Sequence, residues 1–181
     1  EDKRGLNDTF AWYTTGIKDE DFEKLIIINQ KLERYGQIDI CVDVANSYLK
    51  KALDFIKKIR DKYPSMVIMA GNICTSEGVE LLDKAGVDIV KFQIAAGKLC
   101  RTFVKSAISY PTFSCVVECS QSAKELKLMS VADGGIKSPS CVCKAIAAGS
   151  TFVMLGSLFI GYEQNEGNWH HKRKVLHRGT P

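Results

Sequence analysis

Cys100 is the residue in this chain best placed for covalent chemistry. It follows Gly97 in the run Lys91-Phe92-Gln93-Ile94-Ala95-Ala96-Gly97-Lys98-Leu99-Cys100-Arg101-Thr102. Ahead of that run, Val87-Asp88-Ile89-Val90-Lys91-Phe92 is β-branched and apolar without helical spacing, which predicts a buried strand of a parallel sheet. Small residues then open a turn, and Gly97 allows backbone conformations that other residues resist. A cysteine on a loop at the carboxyl end of a strand can serve as a nucleophile. The same residue can equally be a buried cysteine packed as a small hydrophobe, and spacing alone leaves both readings open. Four other places carry polar or glycine residues after an apolar run: Asp43, Asn72, Asp133-Gly134-Gly135 and Gly156-Ser157. Asp43 and Asp133 could bind a ligand or cap helices. The glycine doublet after Asp133 favours a ligand there, because glycines let peptide N–H groups approach an anion closely.

These residues need elements to position them, and the apolar pattern supplies a regular alternation. Thr9–Thr15 is β-rich and stops at Gly16. Asp19-Glu20-Asp21 suits a helix start, with Phe22, Leu25, Ile26 and Leu32 on one face and Gly36 as the stop. Ile38–Val42 predicts the next strand. Leu49, Ala52, Leu53, Ile56 and Ile59 give an amphipathic helix that ends before Pro64. Met66–Ala70 is a strand, and Thr75 or Ser76 caps a short helix through Leu82 that closes at Gly86. After the cysteine loop, Phe113–Leu126 reads as a helix and Leu128–Ala132 as a strand. Ser138-Pro139 opens another helix, Gly149 ends it, and Thr151–Leu155 is the last strand. Six strands alternating with helices predict an α/β fold with a parallel sheet, and its ligands belong at the carboxyl ends of the strands.

Composition narrows the classes. The chain has 181 residues, 45% hydrophobic and 25% charged, as an ordinary globular domain does. Its formal charge is +4, much of it from His170-His171-Lys172-Arg173-Lys174, so a solvated basic tail is expected rather than a nucleic-acid surface. Seven cysteines without a CxxC pair, and three histidines, argue against zinc or a disulfide framework and fit a reducing, cytoplasmic setting. No apolar run is long enough to span a bilayer, and the charged start Glu1–Arg4 leads into no signal-peptide core.

Taken together, Cys41-Val42-Asp43-Val44-Ala45-Asn46, Met69-Ala70-Gly71-Asn72, Ala132-Asp133-Gly134-Gly135 and Phe152-Val153-Met154-Leu155-Gly156 resemble GMP reductase. So do Ser109-Tyr110-Pro111 and Val116-Val117-Glu118-Cys119, in consistent order from about Phe10 to Gly161. IMP dehydrogenase is the sister family and shares the plan. The resemblance implies a (β/α)8 barrel of the TIM type, here a partial barrel of about six βα units over 1–161, with 162–181 a basic tail or the start of a substrate flap. It implies NADPH-dependent reductive deamination of GMP to IMP and ammonia, in purine nucleotide salvage. The loop cysteine attacks C2 of guanine to form a thioimidate, ammonia leaves, hydride arrives at C2, and the cysteine is released.

On the same resemblance, Cys100 is the nucleophile and Thr102 a hydroxyl that moves protons to the departing ammonia. Asp133 holds the ribose hydroxyls, and Gly134, Gly135, Gly156 and Ser157 surround the phosphate. Asp43, Val44, Ala45, Ile94 and Ala95 contact the cofactor. Carbonyls of Ala95, Gly97, Cys100 and Phe103 form a cage for a monovalent cation, potassium, and the assembly is a homotetramer without nucleic-acid or membrane partners. This chain departs from the family in its loop. The family run Gly-Ile-Gly-Pro-Gly-Ser is here Gln93-Ile94-Ala95-Ala96-Gly97-Lys98, Arg101 replaces a threonine, and Phe103 replaces an arginine. Two βα units of the family barrel would precede Phe10. Leu176-His177-Arg178-Gly179 resembles the opening of the family flap, whose glutamate partner of Thr102 falls outside the 181 residues. Six strands do not close an eight-stranded barrel, and their edges would be exposed. Two other readings follow from these departures: a catalytically inactive nucleotide-binding or subunit-interaction fragment, and an IMP dehydrogenase.

Overall fold

The structure is a computed structural model, and it describes residues 12–32, 38–94, 108–160, 162, 168–170 and 173–175. Strands and helices alternate: β1 (Trp12–Thr15), α1 (Asp19–Leu32), β2 (Asp39–Asp43), α2 (Lys50–Lys62), β3 (Ile68–Ile73), α3 (Ser76–Lys84) and β4 (Ile89–Phe92), then α4 (Thr112–Glu125), β5 (Met129–Asp133), α5 (Pro139–Ala147) and β6 (Phe152–Met154). The six strands form one parallel sheet in sequence order, β1 to β6. This is the parallel sheet with helices that the alternation predicts, and the half-barrel that the family resemblance implies. The segment 168–175, expected as part of a basic tail, contains an antiparallel hairpin of β7 (Asn168–His170) and β8 (Arg173–Val175).

Strand period 2 splits the sheet into two faces. Ile40, Val42, Ile68, Ala70, Val90, Phe92 and Ala132 point to the helices and join the main core with Leu25, Ile56, Ile59, Val79, Leu82, Cys115, Val116 and Cys119. Phe55 belongs to this core as well, whereas Leu49 is half exposed and stands ahead of α2 rather than on its buried face. The opposite face carries a smaller cluster, Cys41, Met69, Ile89 and Val131, flanked by Trp12 and Val67. Two residues further along the same face come Asp43, Gly71, Lys91 and Asp133. An apolar layer therefore lies beneath a polar one at the carboxyl ends of the strands.

The two ends of the sheet are built differently. At the amino ends, Arg60 of α2 donates to the carbonyls of Gly86, Pro64 and Met66 at 2.8–2.9 Å and pairs with Asp88 at 2.6 Å. Asp88 also accepts from the Ile68 N–H. This network closes the turns that the sequence marks with Pro64 and Gly86. Thr75 caps α3 through the Gly78 N–H, as expected. The Tyr110-Pro111 and Glu118-Cys119 pairs have a local purpose: Glu118 accepts from the Ser76 N–H and from the Tyr110 hydroxyl, tying α3 to α4 and to the chain ahead of α4. Strand β3 runs on to Ile73 instead of ending at Ala70. Its register against β4 shifts between Ala70 and Ile73, so Gly71 and Asn72 belong to the strand rather than to a loop after it.

Candidate active site

Lys91 is the centre of the strand-end layer. It projects from β4 onto the face opposite the helices, and it is 1% exposed. A lone buried ammonium is strongly disfavoured, so it must be paired. Its Nζ donates to Asp43 Oδ1 at 2.7 Å, to Asp133 Oδ2 at 2.7 Å and to Asn72 Oδ1. Burial pulls the Lys91 ammonium down, but the Asp133 and Asp43 carboxylates outweigh this and carry its pKa above the usual lysine value. Asn72 completes the link by donating from Nδ2 to Asp133 Oδ2 at 3.2 Å and to the Gln93 carbonyl at 2.6 Å. The ends of β2, β3, β4 and β5 thus meet at one nitrogen.

Close approach makes this geometry possible. A Cβ on Gly71 would stand 2.1 Å from the Lys91 carbonyl oxygen and 2.8 Å from the Lys91 Cβ. Only glycine lets β3 and β4 come together there, which explains the glycine of Met69-Ala70-Gly71-Asn72. Beyond Asp133, Gly134 and Gly135 have φ of +98° and +73°, in the region that favours glycine. Gly156 differs, because a Cβ there would meet open space. Among the described residues no packing demands its glycine. The Gly156 carbonyl starts the 3-10 turn Ser157–Phe159 by accepting the Phe159 N–H at 3.0 Å.

Gln93 has φ of +125° and is 1% exposed. For a residue with a side chain this conformation costs of the order of 1–3 kcal/mol. Two carbonyls face one side of its amide, and these require the nitrogen as donor. With the amide so placed, Nε2 donates to the carbonyls of Asp133 at 3.0 Å and Gly134 at 2.9 Å, and Oε1 accepts from Thr112 Oγ1 at 2.8 Å.

The structure brings Asp43 and Asp133 together through Lys91. The Asp43 side chain remains 52% exposed, and that of Asp133 is 25% exposed. Val44 is held by its backbone, donating to the Gly71 carbonyl at 2.9 Å and accepting from the Asn72 N–H at 2.7 Å. Ala45 lies in the exposed turn after β2, and Ile94 is buried. Ala95, Gly97, Cys100, Thr102 and Phe103 lie outside the described residues, as do Lys98 and Arg101. Among the described residues no group of three or more His, Cys, Asp or Glu side chains could hold a metal ion, and no helix is long and apolar enough to cross a membrane. Burial pushes the Cys41 thiol up to about 11, and a neighbouring Cys115 sulfur together with burial pushes Cys119 up as well. Cys141 goes the other way: a hydrogen bond from Ser138 and nearby backbone N–H groups lower it.

Sequence pattern places Asn72 among the strand-end positions, but it does not mark Lys91 or Gln93 as site residues. The missed signal is a lysine within an apolar strand run, in phase with carboxylates that end two other strands of the sheet.

Comparison with known proteins agrees with this architecture. Residues 14–177 match the IMP dehydrogenase / GMP reductase domain model. GMP reductase of Caenorhabditis elegans is 42% identical over 155 residues, which are 86% of this chain and 43% of that protein. Human GMP reductase 1 is 42% identical over 155 residues, 85% of this chain and 44% of that protein. The chain thus spans less than half the length of these relatives. A crystal structure of a variant Trypanosoma brucei GMP reductase in complex with guanosine 5'-monophosphate superposes with a TM-score of 0.79 at 28% identity, covering 87% of this chain and 32% of that one. The neighbouring structures are GMP reductases, and the six parallel strands and their helices correspond to part of that barrel. With the domain model matching nearly the whole chain, and with the strand-end residues ordered as described, this chain belongs to the IMP dehydrogenase / GMP reductase family.

Proposed function

We propose that this chain carries the nucleotide-binding and cysteine-bearing part of a GMP reductase, converting GMP to IMP and ammonia. The observation that carries the reading is the Lys91 cluster, which holds Asp133 beside Asp43 at the carboxyl ends of the strands, with Gly134 and Gly135 immediately beyond. Among the described residues both donors to Asp133 use Oδ2. We assign Oδ1 to the vicinal ribose hydroxyls of the nucleotide. The open space beside Gly156 suits a phosphate, which the backbone N–H groups of Gly134, Gly135, Gly156 and Ser157 would surround.

The cofactor side fits the residues present. Asp43 keeps half of its side chain exposed while Lys91 fixes the rest, so Asp43 can meet a ligand lying over β2. Val44 has both backbone groups engaged with β3 and offers only surface. Asp43, Val44 and Ala45, with Ile94 and Ala95, would hold NADPH, which when bound supplies the hydride for C2 of guanine. Cys100, which falls in the sequence between β4 and α4, is assigned as the nucleophile from the family resemblance. Its sulfur adds to C2, the C2–amino bond breaks as ammonia leaves, and the C–S bond breaks to return the thiolate. Thr102 hands a proton toward the departing ammonia; such transfers contribute about 10²–10⁴-fold.

The loop favours one second reading, nucleotide binding without turnover, because Gln93 stands at positive φ where the family run opens with glycine. Both are tested by following NADPH oxidation with GMP, with IMP and ammonia measured as products. GMP-dependent oxidation supports the reductase. Binding of GMP and IMP without oxidation supports the second reading, and NAD reduction with IMP instead would make the chain an IMP dehydrogenase.

A further inference from the structure

Gln93 links three parts of the site, one through its backbone and two through its side chain. Its N–H donates to the Ile73 carbonyl at 2.8 Å, and its carbonyl accepts from Asn72 at the end of β3. Its amide bonds the Asp133 and Gly134 carbonyls at the end of β5 and the Thr112 hydroxyl at the start of α4. A glycine would adopt its φ of +125° freely, whereas a glutamine does so only when its surroundings hold it there. The turn it grips is itself weakly restrained, since Gly134 and Gly135 are consecutive residues with no side chains to fix them.

We propose that Gln93 is a positioning residue, a buried clamp that sets the Asp133-Gly134-Gly135 turn in its nucleotide-binding conformation. The proposal rests on the reading of that turn as the ribose and phosphate site. It makes local strain and binding opposite consequences of one side chain. Removing the side chain to glycine relieves the backbone and frees the turn at once. A side chain present only for packing would give a loss of stability with no effect on the turn.

The test compares the wild-type chain with Gln93→Gly and Gln93→Ala. Three quantities are read: thermal midpoint, hydrogen exchange over 133–137 without ligand, and calorimetric affinity for GMP. Gln93→Gly is expected to keep the wild-type midpoint or exceed it, to exchange faster over 133–137, and to bind GMP about tenfold more weakly. Gln93→Ala keeps the unfavourable φ and loses the bonds, so its midpoint falls while exchange accelerates equally. Unchanged exchange over 133–137 in both variants overturns the proposal. So does a Gln93→Gly protein with a lowered midpoint and wild-type affinity. If the wild-type chain binds neither GMP nor IMP, the nucleotide reading fails, and the exchange measurement still decides whether the clamp exists.

Discussion

Lys91 is the residue whose replacement says most about the site. Lys91→Met would leave Asp43 and Asp133 facing each other across an apolar side chain with no counter-charge. Removing one partner of a buried pair costs about 3–5 kcal/mol, and the half-exposed Asp43 places the expected loss near the lower end, about 3 kcal/mol. Urea unfolding at pH 7 measures it. The pH dependence has a definite sign. Because the folded pKa of Lys91 is raised, its stabilisation is fully present below the unfolded lysine value of about 10.4 and is lost as pH rises through the folded value. The stability difference between wild type and Lys91→Met is therefore expected to be flat from neutral pH to about 10 and to shrink above it. Asp43 and Asp133 were legible in the sequence because each ends an apolar run and meets a turn. Lys91 was not, because Ile89-Val90-Lys91-Phe92 reads as one buried run, and only the register of β4 between β3 and β5 shows which face the lysine takes. Gln93 left a clue: it stands where the family run opens with glycine. What a glutamine does there depends on the Asp133–Gly134 turn, some forty residues on, and sequence pattern does not report such contacts.

At the scale of elements, the sheet separates stability from chemistry. The Arg60–Asp88 network ties α2 to the turns at the amino ends of β3 and β4, away from the Lys91 cluster. Arg60→Ala removes the Arg60 donors to the Gly86, Pro64 and Met66 carbonyls and leaves the Asp88 carboxylate with the Ile68 N–H but without its cationic partner. Hydrogen bonds to charged groups contribute about 1.5–3 kcal/mol each, so a loss of about 2–3 kcal/mol is expected. Affinity for GMP, measured where the variant is folded, should stay at the wild-type value. A large drop in affinity with stability unchanged would mean that the two ends are not independent. Helices and strands with strong periodicity were readable, including the Thr75 cap and the proline that opens the helix at Pro139. The boundary of β3 was not, because Gly71 and Asn72 look like a turn until the close approach of Lys91 shows that glycine serves packing within the strand.

At the scale of the molecule, the sheet has six strands, and among the described residues β1 and β6 each pair on one side only. The face opposite the helices stays open toward β6. Phe152 and Met154 share that face with Val131 and Asp133 by register, and they are 47% and 36% exposed. Exposed apolar side chains beside an unpaired strand edge favour association. The isolated chain is expected to self-associate with rising concentration, and Phe152→Lys should reduce that association in sedimentation velocity. A wild-type chain that stays monomeric throughout would show that this face is covered. The alternation of elements made the parallel sheet readable from sequence and the family motifs its barrel type, whereas the pairing of 168–170 with 173–175 was hidden in a basic, weakly patterned stretch.

The central claim is that the Lys91-linked strand ends form a purine nucleotide site with Asp133 as the ribose carboxylate. Calorimetric titration of GMP into the wild-type chain, Asp133→Ala and Arg60→Ala tests it most directly. The account predicts binding by wild type and Arg60→Ala, and a loss of at least about tenfold in Asp133→Ala, as expected for removing a charged hydrogen-bond acceptor. Binding unchanged in folded Asp133→Ala would contradict it.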